Sequence, residues 1–198
     1  MNILVAGATG KTGLRLTQTL LANGHHPIAL VRDSSDTSDL PNGTETRHGD
    51  LTDLQPGVCD GCDVVVFAAG SGADTGPEMT EAVDCDGAKR LVDLAKAAGV
   101  ARFVMLSSVG AGNPDLDSDL GPYLMAKHEA DEHLKASGLD FAILRPVALT
   151  EADGTRDIVY GDAVDMQGKA ARGDVAYVLA QAVDDPEWRG KTLRMASA

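Results

Sequence analysis

The sequence predicts a single α/β domain in which helices cover both faces of a doubly wound parallel sheet. Short apolar runs of strand length alternate along the 198-residue chain with longer amphipathic segments of helix length. One run, residues 64–68, is continuously apolar, as expected for a strand buried on both faces. A glycine-rich turn joins the first run to the first helical segment. Strands that alternate with helices form parallel sheets, and ligands bind beyond the carboxyl ends of their strands.

The predicted elements follow from apolar spacing and from the residues that end each segment. The predicted strands cover residues 2–6, 27–32, 45–48, 64–68, 102–106 and 140–144, with short strands at 157–160 and 192–195. The predicted helices cover residues 11–23, 78–98, 120–136 and 174–183. Gly24, Gly99 and Gly138 follow the first three helices, where glycine commonly ends a helix. No linker or repeat divides the sequence, so residues 1–198 are expected to form one domain.

The turn after the first strand carries Gly7, Gly10 and Gly13, spaced three residues apart. In a strand–turn–helix unit, such glycines let the backbone approach a pyrophosphate, whose charge faces free N–H groups and the positive end of the helix dipole. The turn therefore predicts a dinucleotide-binding Rossmann fold. The residues expected to contact the cofactor here are Gly7, Thr9, Gly10, Lys11, Thr12 and Gly13.

The same turn contains a partial match to another phosphate-binding motif. Gly10, Lys11 and Thr12 resemble the end of a P-loop, but that motif requires a glycine five positions before Gly10. Val5 occupies that position, inside the predicted strand. The sequence therefore favours a dinucleotide over a nucleoside triphosphate.

Arg32 ends the second predicted strand, at the position where an acidic residue would accept the ribose hydroxyls of NAD. An arginine offers a planar guanidinium group for the 2′-phosphate of NADP, and Lys11 supplies a second cation. The sequence therefore favours NADP as the cofactor. Asp33 follows directly and keeps NAD as an alternative.

The charge and the length of the apolar runs exclude several classes of partner. The formal net charge is −13, whereas nucleic acids and anionic membranes bind basic surfaces. No apolar run is long enough for a transmembrane helix. The sequence begins directly with the first strand, and its three cysteines form an odd number. We therefore expect a cytoplasmic monomer or homodimer with reduced thiols, whose partner is a small-molecule substrate.

No metal site is predicted, although two segments contain residues that can bind metals. Cys59 and Cys62 have the spacing of a zinc or redox motif, but no second pair accompanies them. His128 and His133 are five residues apart, which does not place both on one helical face. A solvated helix surface explains the histidines without a ligand.

Tyr123 and Lys127 lie four residues apart near the start of the helix predicted at 120–136. Residues with this spacing share a helix face, so the phenol and the ammonium group can meet. A lysine cation, together with a positively charged nicotinamide, would stabilise the phenolate and let the tyrosine exchange a proton near neutrality. Ser107 and Ser108 end the preceding strand, where a hydroxyl could hold a substrate oxygen. An amphipathic helix can carry Tyr and Lys at this spacing by chance, so the pair alone does not establish a catalytic site.

Taken in chain order, these segments resemble the short-chain dehydrogenase/reductase superfamily. More narrowly, they are similar to its atypical NAD(P)H-binding branch, near the NmrA-like and biliverdin reductase B/flavin reductase-like proteins. The matching segments are residues 7–13, Arg32, residues 49–51, 68–70, 83–87 and 107–109, the Tyr123–Lys127 pair, Arg145-Pro146 and residues 172–176. The resemblance covers essentially the whole chain.

The resemblance implies cofactor contacts along the carboxyl edge of the sheet. Asp50 and Leu51 would hold the adenine, and Lys127 would bind the nicotinamide ribose as well as tune Tyr123. Further implied contacts, to the cofactor ribose, phosphates and carboxamide, are Ala68, Ala69, Gly70, Ser107, Arg145, Pro146 and Val147. Ser108 matches the catalytic serine of the superfamily better than Ser107 does.

The resemblance also implies an NADPH-dependent reductase that transfers hydride to a small carbonyl, quinone or flavin-like acceptor. Tyr123 would be the general acid, Lys127 its modulator and Ser108 the donor to the substrate oxygen, while residues 147–172 would form a small region covering the substrate. One alternative is a non-catalytic NADP-binding redox sensor of the NmrA type. A second is a sugar-nucleotide epimerase or dehydratase, although those enzymes carry a larger C-terminal substrate domain than the segment after Pro146 provides.

Overall fold

The computed structural model describes residues 1–72 and 75–198, and its centre is one sheet of eight strands. These strands are β1 (Asn2–Ala6), β2 (His26–Val31), β3 (Glu45–His48), β4 (Val64–Phe67), β5 (Arg102–Leu106), β6 (Asp140–Pro146), β8 (Ile158–Tyr160) and β10 (Lys191–Ser197). Two shorter strands, β7 (Ala148–Thr150) and β9 (Lys169–Ala171), form a separate parallel pair.

Helices connect the strands and cover both faces of the sheet. They are α1 (Lys11–Ala22), α2 (Pro77–Thr80), a π-helical segment (Glu81–Gly87), α3 (Ala88–Ala97), α4 (Gly121–Ala136) and α5 (Arg172–Ala182). Within the described residues, none of these helices has the length and hydropathy that crossing a bilayer would demand.

The strand order is β3-β2-β1-β4-β5-β6-β10-β8, which is that of a doubly wound sheet. The direction of strand progression reverses between β1 and β4, which is where such sheets form a ligand-binding crevice. The predicted α/β fold is therefore confirmed. One detail differs from a fully parallel sheet, because β8 pairs antiparallel with β10 at the edge. Antiparallel edge strands of this kind are common in large doubly wound sheets.

Strand β1 shows how the sequence fills both layers of the core. Ile3 and Val5 pack on the face that α1 and α5 cover, whereas Leu4 and Ala6 pack on the face that α3 and α4 cover. All four side chains are fully buried. Because successive side chains of a strand point to opposite faces, a strand buried on both sides is continuously apolar.

The helix predicted at 78–98 is continuous in the structure but changes its hydrogen-bonding pattern. The segment Glu81–Gly87 is π-helical, and it buries Asp84, Cys85 and Gly87. A Cβ atom on Gly87 would lie 2.7 Å from the Leu51 carbonyl oxygen, so the backbones pack closely here. Apolar periodicity does not reveal a π-helical turn, and such turns are often found at functional sites.

The pair β7 and β9 lies in the region that the sequence leaves irregular. Each strand has three residues, too few for an alternating pattern to be recognised. Their register pairs Thr150 with Ala171. The residues that follow, Glu151 and Arg172, are therefore brought side by side.

Candidate cofactor and active site

A cleft of about 790 Å³ lies along the carboxyl ends of β1, β4 and β5. This volume is within the range of small-molecule and cofactor sites. We call the side lined by Gly10, Lys11, Thr12 and Arg172 the phosphate end of the cleft. The acceptor end is lined by Pro77, Thr80, Asp119, Leu120, Tyr123 and Leu149. Ala68, Ala69, Gly70, Ser107 and Lys127 also line the cleft.

The glycine-rich turn leaves no room for side chains at two of its positions. Gly7 has φ +84°, and a Cβ atom there would lie 2.7 Å from the backbone of Ala69. A Cβ atom on Gly13 would lie 2.0 Å from the Gly7 carbonyl oxygen. Gly10 donates its N–H to the same oxygen at 3.0 Å, which closes the turn, and Thr9 is partly buried within it. The close approach of α1 to β1 gives the geometry that a pyrophosphate requires.

Three basic residues contact Glu151 at the phosphate end, two through its carboxylate and one through its backbone carbonyl. Lys11 Nζ lies 3.0 Å from Glu151 Oε1, and Arg172 Nε lies 3.3 Å from the same oxygen. Arg172 also donates to the hydroxyl of the buried Thr12 at 2.9 Å, beside the start of α1. Arg15 donates to the Glu151 carbonyl oxygen at 2.8 Å. The hydrogen bond from Lys11, followed by that from Arg172, holds the pKa of Glu151 below its ordinary value, so the carboxylate is ionised.

The predicted adenosine contacts lie at the ends of β2 and β3. Arg32 is exposed directly after β2, and the next residue, Asp33, pairs with His48 at 2.8 Å. Asp50 accepts hydrogen bonds from the backbone N–H and the hydroxyl of Thr52. These bonds, with a smaller contribution from Arg32, hold the pKa of Asp50 below its ordinary value. A guanidinium group and a carboxylate thus lie near each other at this edge.

Lys127 is buried and forms an ion pair with an aspartate that the sequence analysis did not single out. Its Nζ atom lies 2.9 Å from Asp84 Oδ1, and only 3% of Lys127 and none of Asp84 is exposed. The second Asp84 oxygen accepts the Ser71 N–H at 2.9 Å. Lys127 also donates to the Ala69 carbonyl oxygen at 3.3 Å and lies 5.9 Å from the centre of the Tyr123 ring.

The ammonium group of Lys127 stays charged despite its burial. Burial acts against the charge, but Tyr123, Asp84 and Asp131 together outweigh it and raise the pKa of Lys127. The structure thus brings the predicted Tyr123 and Lys127 together on one wall of the cleft. A cation beside a phenol is the arrangement that supports proton transfer by tyrosine.

Ser107 and Ser108 occupy different environments. Ser107 is buried, lines the cleft and donates to Asp131 Oδ2 at 2.8 Å. Arg145 donates to the same oxygen through Nε at 2.9 Å. Burial raises the pKa of Asp131, while Arg145 and Ser107 act in the opposite direction. Ser108 is partly buried and is not among the described residues that line the cleft. Its predicted contact with the substrate oxygen therefore stays a prediction.

Several predicted cofactor residues lie outside the described lining of the cleft. Arg145 binds Asp131, and Pro146 and Val147 are buried at the end of β6, where Val147 donates its N–H to Met195. Leu51 is partly buried beside Gly87. These residues lie beside the carboxyl ends of the strands, and their contacts with a cofactor remain predictions.

The sequence analysis assigned no role to four charged residues that the site contains: Asp84, Asp131, Glu151 and Arg172. The spacing of residues along the sequence could have identified one of them. Asp131 follows Lys127 by four positions, as Lys127 follows Tyr123, so all three share a face of α4. Asp84 and Arg172 lie in segments that match the resemblance, but the approach of Arg172 to Thr12 depends on the β7–β9 pairing.

Residues 7–186 match the protein family described as NAD(P)H-binding. The chain belongs to this family. The predicted nicotinamide dinucleotide cofactor and the predicted resemblance to NAD(P)H-binding proteins are thereby confirmed. The glycine turn and the cations beside it fit such a cofactor, because they provide close backbone approach and positive charge together.

Relatives of this NAD(P)H-binding protein carry differing names. It is 36% identical over 192 residues to YhfK of Bacillus subtilis, named an uncharacterized sugar epimerase, covering 93% of this chain and 89% of YhfK. It is 27% identical over 244 residues to the sanguinarine reductase of Eschscholzia californica, covering 100% and 89% of the two chains. A Bacillus halodurans structure, named for NAD-dependent epimerases and dehydratases, has a TM-score of 0.94 at 35% identity and covers 100% and 94%.

Proposed function

We propose that this NAD(P)H-binding protein is an NADPH-dependent reductase that transfers hydride to a planar carbonyl, quinone or flavin-like acceptor. The observation that carries the proposal is that one cleft contains both the dinucleotide-binding turn and the Tyr123–Lys127 pair. The sheet therefore presents a proton-transfer group within the same cavity as the cofactor turn. The similarity to sanguinarine reductase, a reductase by name, supports an oxidoreductase role.

When bound, NADPH supplies a hydride, which for a carbonyl acceptor would form the new C–H bond at the carbonyl carbon. Tyr123 would donate its hydroxyl proton to the carbonyl oxygen as the C=O π electrons move there. The buried Lys127 cation would stabilise the phenolate that remains until solvent returns a proton. Asp84 holds Lys127 in place by their 2.9 Å ion pair. For a flavin or quinone, solvent can supply the proton instead.

Arg172 joins the predicted cofactor residues in this proposal. Its guanidinium group reaches the hydroxyl of Thr12 at the start of α1, where the pyrophosphate is expected. Lys11 and Arg172 both contact the Glu151 carboxylate, so Lys11 lies at the same end of the cleft. Together, the two cations would bind the cofactor phosphates. Leu149 lines the acceptor end, which supports residues 147–172 as the region that covers the substrate.

Stopped-flow mixing of the NADPH complex with acceptors tests the proposed reductase function. The panel contains an aromatic aldehyde, a neutral naphthoquinone and riboflavin, and the readout is the decay of NADPH absorbance. We expect oxidation of NADPH by at least one acceptor, with one NADP⁺ formed per acceptor reduced. Tight NADPH binding without oxidation by any of them would favour the sensor instead.

The names of YhfK and of the Bacillus halodurans structure make a sugar-nucleotide epimerase the second candidate. An epimerase returns the hydride to its substrate, so its cofactor undergoes no net oxidation. Net consumption of NADPH by a separate acceptor therefore distinguishes the two functions. Epimerisation of a nucleotide sugar with catalytic NAD(P)⁺ would replace the reductase proposal.

Replacing Arg32 with alanine is expected to weaken NADPH binding about 10- to 100-fold and NADH binding less than about threefold. The exposed guanidinium group would lose its charge-assisted hydrogen bonds to the 2′-phosphate, which NADH lacks. Calorimetric titration with each cofactor measures the effect. Arg189→Ala is a matched control, because Arg189 precedes β10 at the opposite edge of the sheet. Equal losses for both cofactors would contradict the assignment.

Replacing Glu151 with glutamine is expected to tighten NADPH binding about threefold to tenfold. The carboxylate faces Lys11 and Arg172, and its removal would leave both cations available to the cofactor phosphates. Fluorescence titration of NADPH measures the affinity. Glu187→Gln serves as the control, since Glu187 pairs with Lys191 away from the cleft. Unchanged or weaker binding would show that Glu151 does not compete with the cofactor.

A further inference from the structure

The acceptor end of the cleft has an apolar wall that is open to solvent. Leu120 is 60% exposed and Leu149 is 37% exposed, and Pro77, Pro122 and the ring of Tyr123 continue the same lining. Large exposed apolar side chains that share one cavity indicate a binding surface rather than a packing surface. The Tyr123 ring and the two prolines favour a planar ligand that is mostly hydrocarbon.

The basic side chains among the described lining residues of the cleft are Lys11, Lys127 and Arg172. Lys11 and Arg172 lie at the phosphate end, where both face Glu151. Lys127 is buried against Asp84. The charged residue that lines the acceptor end in the described part of the chain is Asp119.

In the described part of the chain, the segments around the acceptor end carry negative charge only. Residues 70–72, 75–80 and 110–122 contain four carboxylic side chains and no lysine, arginine or histidine. Asp115 and Asp117 are exposed on the loop that leads to Asp119. Carboxylates on an open rim repel anions within a Debye length, about 8 Å at physiological ionic strength.

We propose that the acceptor end selects planar, mostly apolar molecules that are neutral or positively charged, and rejects those bearing phosphate, sulfonate or carboxylate groups. The selection is electrostatic, because an anionic substituent would approach Asp119, and the described residues that line this end include no cation to pair with it. This inference rests on the proposed reductase function and adds the charge of the acceptor. The acceptor end would therefore distinguish free flavin and neutral quinones from their phosphorylated or sulfonated forms.

Riboflavin and flavin mononucleotide provide a matched pair of probes, because they share one ring system and differ by a phosphate. Two measurements are made on the wild type, Asp119→Asn and Asp119→Lys. One is kcat/KM for reduction by NADPH. The other is the affinity of the oxidised flavin for the NADP⁺ complex, which is measured by the quenching of flavin fluorescence. Asp60→Asn is the control, since Asp60 is exposed before the start of β4, at the amino-terminal ends of the strands and thus opposite the cleft.

We expect wild type to favour riboflavin over flavin mononucleotide about tenfold in both measurements. The preference should shrink about threefold in Asp119→Asn, disappear in Asp119→Lys, decline with added salt and persist in Asp60→Asn. Equal or better use of flavin mononucleotide by the wild type would overturn the charge selection while leaving the reductase proposal intact. Binding with the expected preference but without reduction would count against the reductase proposal alone. Binding of neither flavin would overturn the inference.

Discussion

Replacing Asp84 with asparagine is expected to lower the free energy of unfolding by about 3 to 5 kcal/mol. Asp84 is fully buried on the π-helical segment, and its carboxylate is the partner of the buried Lys127 ammonium group. An amide keeps the shape of the side chain but leaves a buried cation without its counter-charge. Urea denaturation measures the loss.

The pH dependence of this effect has a definite sign. The pKa of Lys127 is raised in the folded protein above its ordinary value of 10.5. The ion pair therefore contributes its full stability below that ordinary value and loses it as the pH rises through the folded pKa. As the pH rises, the stabilities of the wild type and of Asp84→Asn should converge in strongly alkaline solution.

Two further variants make this prediction decisive. Glu129→Gln removes the partner of Lys89 in a partly exposed pair and should cost less than about 1 kcal/mol. Adding Lys127→Met to Asp84→Asn should recover part of the loss, because the unpaired charge is removed. A cost for Asp84→Asn as small as that for Glu129→Gln would show that the Asp84–Lys127 pair is solvated rather than buried.

Replacing Tyr123 with phenylalanine is expected to reduce kcat for a carbonyl acceptor by about 10²- to 10⁴-fold, with little change in NADPH affinity. The variant keeps the ring near Lys127 and removes only the hydroxyl that would protonate the acceptor oxygen. Steady-state kinetics with an aromatic aldehyde measure kcat, and fluorescence titration measures cofactor binding. A loss confined to kcat indicates a group that acts in the transition state.

The size of the loss in kcat should depend on which acceptor is reduced. With riboflavin, the Tyr123→Phe variant should retain activity within about threefold, because solvent protonates a reduced flavin ring. Tyr160→Phe is the control, since Tyr160 packs against Trp188 at the edge strand, away from α4. An equal loss with both acceptors would assign Tyr123 to substrate placement rather than to proton transfer.

The sequence predicted the sheet well because buried strands and amphipathic helices have distinct periodicities. The bounds of β1, β3 and β5 agree with the prediction, and α5 begins two residues earlier than expected. The π-helical segment was not predictable, since its apolar residues fit an ordinary helix. The three-residue strands β7 and β9 were too short to recognise.

The site was only partly predictable, because charged residues far apart in sequence form it. Lys11 and Glu151 are 140 positions apart, and their contact depends on where β7 places the residue after it. The different environments of Ser107 and Ser108 likewise depend on where β5 ends. Tyr123 and Lys127 were recognisable because one helical turn determines their relation.

Under the proposed reductase function, the β7–β9 pair predicts an order in which cofactor and acceptor bind. Leu149 lies in β7 and lines the acceptor end, and Glu151, which faces the cations of the phosphate end, follows directly after the last residue of β7. A dinucleotide whose phosphates displace the carboxylate would therefore shift the leucine as well. Such coupling favours a compulsory order of association. The coenzyme would bind first and thereby complete the binding surface for the acceptor.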